Sequence, residues 1–106
     1  MAKWTLFLDD ERFPVDPDEV VCRTIKDAVL EIAHRGAPTV IRFDHDLGGN
    51  ETGFEFVKIL IDLDQSEVHD FRFPDDFSFT IHSQNPIGAE NIRSLLTQYL
   101  DWRDHV

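Results

Sequence analysis

Short apolar runs alternate with helical patterns along this chain, and this alternation restricts the possible fold more than any other feature. Four apolar runs are typical of buried strands, at residues 4–8, 20–23, 39–43 and 77–81. Apolar residues recur at helical spacing after Thr24, over 54–63 and from Pro86 onward. Strands that alternate with helices form βαβ units around a parallel sheet. The sequence therefore predicts an α/β fold with a parallel sheet of about four strands.

The ends of the predicted helices carry their own signals. Thr24 is a candidate N-cap, with Asp27 three residues later as a weaker form of the capping box. Gly36 is a typical residue to end that helix. Asn85 and Pro86 are typical of an N-cap and a first helical residue. Between the second helix and the fourth strand, we expect an irregular acidic connection over residues 64–76.

Length and charge restrict the function classes. The 106 residues predict a single domain over residues 1–106. A formal net charge of −11 repels nucleic acid, so we expect no extended nucleic-acid-binding surface. Cys22 is the one cysteine, which fits a reducing compartment. No apolar run approaches the roughly 18 residues of a membrane span, and no signal peptide is evident, so we expect a cytoplasmic protein without membrane contact. The oligomeric state is left open.

Polar residues follow three of the predicted strands, at the points where those strands end. In open parallel sheets, ligands bind beyond the carboxyl ends of the strands. The residues at these ends are Asp9 and Asp10 after strand 1, Asp44, His45 and Asp46 after strand 3, and His82 and Ser83 after strand 4. The sequence therefore predicts a functional site at this edge of the sheet.

The acidic residues at the strand ends are candidate metal ligands. Asp9, Asp10, Asp44 and Asp46 bring up to four carboxylates near one point, and oxygen ligands of this kind suit Mg²⁺ or Mn²⁺. A bound cation would offset the repulsion between these carboxylates. In the alternative interpretation, the acids only start turns and cap helices.

Histidines and a helix start provide the other candidates. His45 and His82 can act as general acid and base, can bind metal, or can be buried histidines with satisfied hydrogen bonds. A helix that begins near Asn85 offers free N–H groups to an anion, and Ser83, Gly88 and Arg12 add to a candidate phosphate pocket. The alternative is an ordinary capped helix. A G-x-S-x-G elbow and a P-loop are both absent from the sequence.

Four segments together resemble a known family. The segments "LFLDDERFP", "RTIKDAVLEI", "FDHDLGGNETG" and "HSQNPIGAENI" are similar to the response-regulator receiver fold, and most of all to its divergent branch, the cyclic-phosphate processing receiver-like domain. The resemblance implies a compact three-layer flavodoxin/receiver-like fold with strand order 2-1-3-4 that lacks the fifth strand and helix. It also implies that Asp9 and Asp10 match the acidic Mg²⁺-binding pair of receivers and that Asp44 matches the phosphoryl acceptor.

The chain departs from ordinary receivers at several positions. A Lys-Pro after a fifth strand is missing, whereas His45, Asp46 and His82 are additions that a phosphorelay does not require. These departures fit the divergent branch, and the resemblance to that branch implies action on cyclic phosphates of nucleotides or RNA ends. We therefore predict a metal-dependent phosphoesterase, a cyclic phosphodiester hydrolase, acting on small cyclic nucleotides or cyclic-phosphate RNA ends. Asp44, His45 and His82 are its predicted catalytic residues. The alternative function is a non-catalytic binding or phospho-signalling module that uses Asp44.

Overall fold

Four strands and three helices alternate along the chain, as the sequence predicts. A computed structural model describes residues 3–9, 13–14, 16–43, 53–66, 71–81 and 86–104. The elements are β1 (Thr5–Leu8), β2 (Val20–Cys22), α1 (Ile25–Arg35), β3 (Val40–Phe43), α2 (Gly53–Gln65), β4 (Ser78–Ile81) and α3 (Pro86–Asp104). The predicted strands match the observed ones to within one residue at each end, and α3 begins at Pro86 as predicted.

The four strands form one parallel sheet in the order β2-β1-β3-β4. This order confirms the compact α/β receiver-like fold. Within the described residues, β4 is the last strand on its side of the sheet.

The strand register aligns the carboxyl ends of all four strands. Leu8 at the end of β1 pairs with Cys22 on one side and with Phe43 on the other, and Phe43 pairs with Ile81. These are the last residues of β1, β2, β3 and β4, so the four strands end level with one another. The residues that come next in the sequence are Asp9, Arg23, Asp44 and His82. We call this side of the sheet the carboxyl edge.

One face of the sheet forms the core of the protein. Leu6, Leu8, Ile41 and Phe43 alternate inward along β1 and β3 and join a single apolar cluster. All three helices contribute to that cluster, through Ala28 and Ile32 of α1, Phe56, Val57 and Leu60 of α2, and Ile92 and Leu96 of α3. The helices therefore lie on the same face of the sheet.

Connection handedness explains this one-sided arrangement. The steps from β2 to β3 and from β3 to β4 cross the sheet in the same direction, so right-handed connections place α1 and α2 on the same face. The step from β1 to β2 runs the other way. We expected three layers, but among the described residues the second face carries no helix. Phe7 and the ion pair between Arg42 Nε and Glu19 Oε1, at 2.8 Å, lie on that face.

Side-chain and backbone caps fix both ends of α1. The Thr24 hydroxyl accepts a hydrogen bond from the Asp27 amide at 3.1 Å, which confirms the predicted N-cap. At the other end, Gly36 has a φ of 88°, and its amide donates to the Ile32 carbonyl at 2.8 Å. That backbone conformation favours glycine, because a side chain there would be strained.

Helices α2 and α3 pack closely against each other and the sheet. Phe56 and Leu60 are fully buried, and burying a side chain of this size stabilises the fold by about 1.5–3 kcal/mol. At the start of α2, a Cβ added to Gly53 would lie 2.8 Å from the Ile92 Cδ1 atom. A glycine at this position therefore lets the first turn of α2 approach α3. None of the described helices meets the length and hydropathy that crossing a membrane requires.

A polar cluster links α3 to the edge of the sheet opposite the carboxyl edge, where β4 begins. The buried Asp64 of α2 accepts hydrogen bonds from the Phe73 amide at 2.8 Å and from the Tyr99 hydroxyl at 2.5 Å. Its Oδ2 atom also lies 2.9 Å from Arg103 Nε. Arg103 Nη2 donates in turn to the Phe73 carbonyl at 3.0 Å. We call Asp64, Phe73, Tyr99 and Arg103 the amino-edge cluster.

Candidate active site

Asp9 lies at the carboxyl edge, as the sequence predicts, and it is completely buried. Its amide donates to the Cys22 carbonyl at 3.1 Å, which continues the pairing of β1 with β2 by one residue. Its carbonyl accepts a hydrogen bond from Arg23 Nη1 at 3.0 Å. Two backbone hydrogen bonds therefore hold Asp9 at a fixed position. Burying a carboxylate is costly unless other groups compensate, so a buried acid at the carboxyl edge is a candidate functional residue.

Arg23 brings a positive charge to the same edge. It is the residue directly after β2, and its side chain is half-buried. The guanidinium carbon lies 4.7 Å from the centre of the Phe13 ring, a cation–π contact. Sequence reasoning assigned no role to Arg23 or Phe13. The rule that selected Asp9, the first residue after a strand, would also have selected Arg23.

Cys22 lies in the last position of β2 and is not a candidate nucleophile. The side chain is buried in the core, and burial is the main cause that raises its pKa to about 11. The negative charges of Glu31 and Asp27 contribute to the same rise. The thiol is therefore protonated at neutral pH, and the reactive thiolate is scarce.

Gly88 lies in the first turn of α3. Residues 82–85 join the end of β4 to this helix, so α3 starts on the carboxyl-edge side of the sheet. The start of a helix carries partial positive charge, which favours anions. The position of Gly88 is compatible with the predicted phosphate-binding role, which stays a prediction.

The other predicted site residues lie outside the described residues. They are Asp10, Arg12, Asp44, His45, Asp46, His82, Ser83 and Asn85. Within the described ranges, no group of three or more His, Cys, Asp or Glu side chains is arranged to hold a metal ion. Because three of the four predicted ligands fall outside those ranges, the metal site stays a prediction.

The strand order and the acid that ends β1 define the class of this protein. A parallel sheet in the order 2-1-3-4, with Asp9 buried at its carboxyl edge, is a receiver-like α/β domain. The family model described as the cyclic-phosphate processing receiver domain matches residues 4–98, and the chain belongs to that family. No match was found among the curated proteins or the solved structures. The matched range includes every residue that the sequence analysis assigned to the site.

Proposed function

We propose that this domain is a metal-dependent phosphoesterase that opens the cyclic phosphodiester of a nucleotide or of an RNA end. The observation that carries the proposal is the strand register, since the four strands end level and Asp9 is buried at that edge. Membership in the cyclic-phosphate processing family supports the choice of substrate.

The acidic residues fit a hard divalent cation. Asp9, Asp10 and Asp44, together with Asp46, would hold Mg²⁺ or Mn²⁺ through carboxylate oxygens. When bound, such a cation neutralises charge on a phosphoryl group and lowers the pKa of water. The position of Asp9 supports this assignment, because it is buried at the carboxyl edge and the sequence continues from it directly into Asp10.

The remaining predicted residues bind the phosphate and move protons. Arg12, Ser83, Asn85 and Gly88 would hold the phosphate oxygens with a guanidinium, short polar side chains and backbone N–H groups. One histidine of the pair His45 and His82 would take a proton from the attacking water as the new P–O bond forms. The other would donate a proton to the leaving oxygen as the ring P–O bond breaks. The product is a phosphomonoester.

Incubation with a panel of cyclic nucleotides and cyclic-phosphate-ended RNA, with and without Mg²⁺ or Mn²⁺, tests the proposal. We expect a phosphomonoester product only when metal is present, and we expect Asp44→Asn to abolish the reaction and metal binding together. Phosphorylation of Asp44 by acetyl phosphate, with no cleavage of any cyclic phosphate, would instead support a signalling module and contradict the enzyme.

A histidine substitution tests proton transfer separately. We expect His82→Ala to reduce turnover by roughly 10²- to 10⁴-fold, the usual size of a general acid–base contribution. Metal affinity should hardly change, because carboxylates hold the cation. His34→Ala is the matched control, since His34 is exposed near the end of α1, and it should keep full turnover. Full activity in His82→Ala would show that His45 or water transfers the proton instead.

A further inference from the structure

The most exposed large apolar side chain of the described residues lies beside the carboxyl edge. Phe13 is 80% exposed, compared with 56% for Trp102 near the far end of α3. Scattered exposed apolar residues are normal on protein surfaces, so exposure alone assigns no role to Phe13. The evidence for a role is the contact that Phe13 makes at the carboxyl edge.

Phe13 has one ring face supported and the other open. The guanidinium of Arg23 lies over the ring at 4.7 Å, and the same guanidinium donates to the carbonyl of the buried Asp9 at 3.0 Å. The ring is therefore linked to the rigid end of β1 through a single side chain. With 80% of Phe13 exposed, the face away from Arg23 is open to solvent. A ring held in this way loses little conformational freedom when a flat ligand stacks on it.

The charge of the chain indicates how a nucleotide would be held. With 21 acidic residues against 10 Lys and Arg, the chain repels a polyanionic backbone. Base stacking on an aromatic ring does not need a positive surface, and a nearby arginine strengthens it. The described carboxyl edge has these two groups in contact.

We propose that Phe13, supported by Arg23, is the stacking surface for the base of the substrate. The preferred substrate is then a purine nucleoside cyclic phosphate, free or at a chain end, and not a cyclic phosphate without a base. A purine is favoured because its larger ring system covers more of the Phe13 ring. The inference rests on the proposed function for the cyclic phosphate and adds the recognition of the base.

Two probes separate the base from the phosphate. Adenosine 2′,3′-cyclic phosphate carries both groups, whereas ribose 2′,3′-cyclic phosphate lacks the base. Binding is measured by titration in the presence of Mg²⁺, with the ring proton resonances of Phe13 followed by NMR, and hydrolysis is measured in parallel. We expect the adenosine compound to shift the Phe13 resonances upfield, since a stacked base shields the ring.

Substitutions then test the contribution of the ring. We expect Phe13→Ala to weaken binding of the adenosine compound by roughly 5- to 150-fold, the range for loss of one stacked base. Binding of the ribose compound should not change, and Phe13→Trp should retain adenosine affinity. Trp102→Ala is the matched control, because it removes an exposed aromatic ring near the other end of α3.

The outcomes distinguish this inference from the proposed function. If both compounds are hydrolysed and Phe13→Ala binds the adenosine compound as tightly as wild type does, the stacking role is overturned and the enzyme proposal stays intact. Binding of the adenosine compound that weakens in Phe13→Ala, without hydrolysis of either compound, would support stacking and contradict the enzyme. If neither compound binds, the stacking proposal is overturned. If neither compound is hydrolysed either, the enzyme proposal is overturned as well.

Discussion

Two buried aspartates lie at opposite edges of the same sheet, and their surroundings differ. Asp9 is 0% exposed and Asp64 is 6% exposed, so burial alone does not distinguish them. Asp64 accepts hydrogen bonds from Phe73 and Tyr99 and pairs with Arg103. Asp9 instead follows β1 at the edge where the sequence adds Asp10 and other acids.

Burial alone therefore does not indicate the role of either acid, and the elements that each one contacts have to be compared. At the amino-edge cluster, the negative charge of Asp64 is matched by one arginine and two hydrogen-bond donors, so the group ties α2, α3 and the chain before β4 together. At the carboxyl edge, two hydrogen bonds hold the backbone of Asp9. The first arrangement is suited to stability, and the second holds Asp9 in place at the edge where the proposed metal would bind.

The largest expected effect on stability is that of Asp64→Ala. The substitution removes the buried partner of Arg103, whose side chain is 26% exposed, and leaves the Phe73 amide and the Tyr99 hydroxyl without their acceptor. Breaking a buried ion pair in this way costs about 3–5 kcal/mol. We expect the free energy of unfolding to fall by about 3 kcal/mol, because partial exposure lets Arg103 regain water. Urea denaturation followed by circular dichroism measures the change.

Asp62→Ala is the matched control for that experiment. Asp62 lies on the same helix but is exposed, so its loss should change the free energy of unfolding by no more than about 0.5 kcal/mol. Equal effects of the two substitutions would show that the amino-edge cluster does not stabilise the fold.

A smaller loss is expected for Tyr99→Phe. The change removes the hydroxyl that donates to Asp64 at 2.5 Å and keeps the ring, which packs against the core. A hydrogen bond to a charged group contributes about 1.5–3 kcal/mol. We expect a loss near the lower end, about 1.5 kcal/mol, because Arg103 still pairs with the carboxylate. A loss as large as that of Asp64→Ala in the same urea experiment would contradict this assignment.

Tyr99 also makes the free energy of unfolding depend on pH in the alkaline range. Burial, the hydrogen bond to Asp64 and the negative charge of Asp64 together raise the pKa of Tyr99 to about 12, with burial as the largest cause. The unfolded chain, with an ordinary tyrosine pKa of about 10, loses this proton first. The free energy of unfolding should therefore fall as the pH rises from about 10 to about 12. The fall should be smaller in Tyr99→Phe, and identical pH profiles for the two proteins would disprove the linkage.

Much of the fold could be predicted because its signals are local. The alternation of apolar runs indicated the strands, and Thr24 and Gly36 indicated the ends of α1. The order of the strands came from the resemblance to receivers. The amino-edge cluster could not be predicted in this way. Asp64 was assigned to an irregular acidic connection, but it lies in the last turn of α2, and its partners Tyr99 and Arg103 are far along the chain. A partner at that distance leaves no pattern in the neighbouring sequence.

The candidate site was predictable in its location more than in its composition. The level ends of the strands follow from the parallel order, so Asp9 could be assigned to the carboxyl edge from sequence. Phe13 could not, since it lies between β1 and β2 with no periodic pattern around it. Its contact with Arg23 depends on the folded course of that connection.

The smallest expected effect on stability, and the sharpest test of the comparison, is that of Asp9→Asn. The amide has the shape of the carboxylate and keeps one oxygen that can accept a hydrogen bond, and the two backbone hydrogen bonds of Asp9 do not depend on the side chain. The substitution also removes one negative charge from an edge rich in acids. We therefore expect the metal-free free energy of unfolding to change by less than about 0.5 kcal/mol or to rise, as is common for functional residues.

Asp9→Asn should reduce metal binding and activity, although it leaves the metal-free stability unchanged or higher. Metal that binds only the folded protein raises the melting temperature by mass action, so wild type should melt higher in millimolar Mg²⁺ or Mn²⁺. Asp9→Asn should lose most of that rise and the cleavage of cyclic phosphate, while Asp64→Asn should keep the metal-induced rise from its lower starting temperature. If Asp9→Asn instead destabilised the metal-free protein as much as Asp64→Asn does, Asp9 would be a second structural acid. The distinction between the two edges would then be wrong.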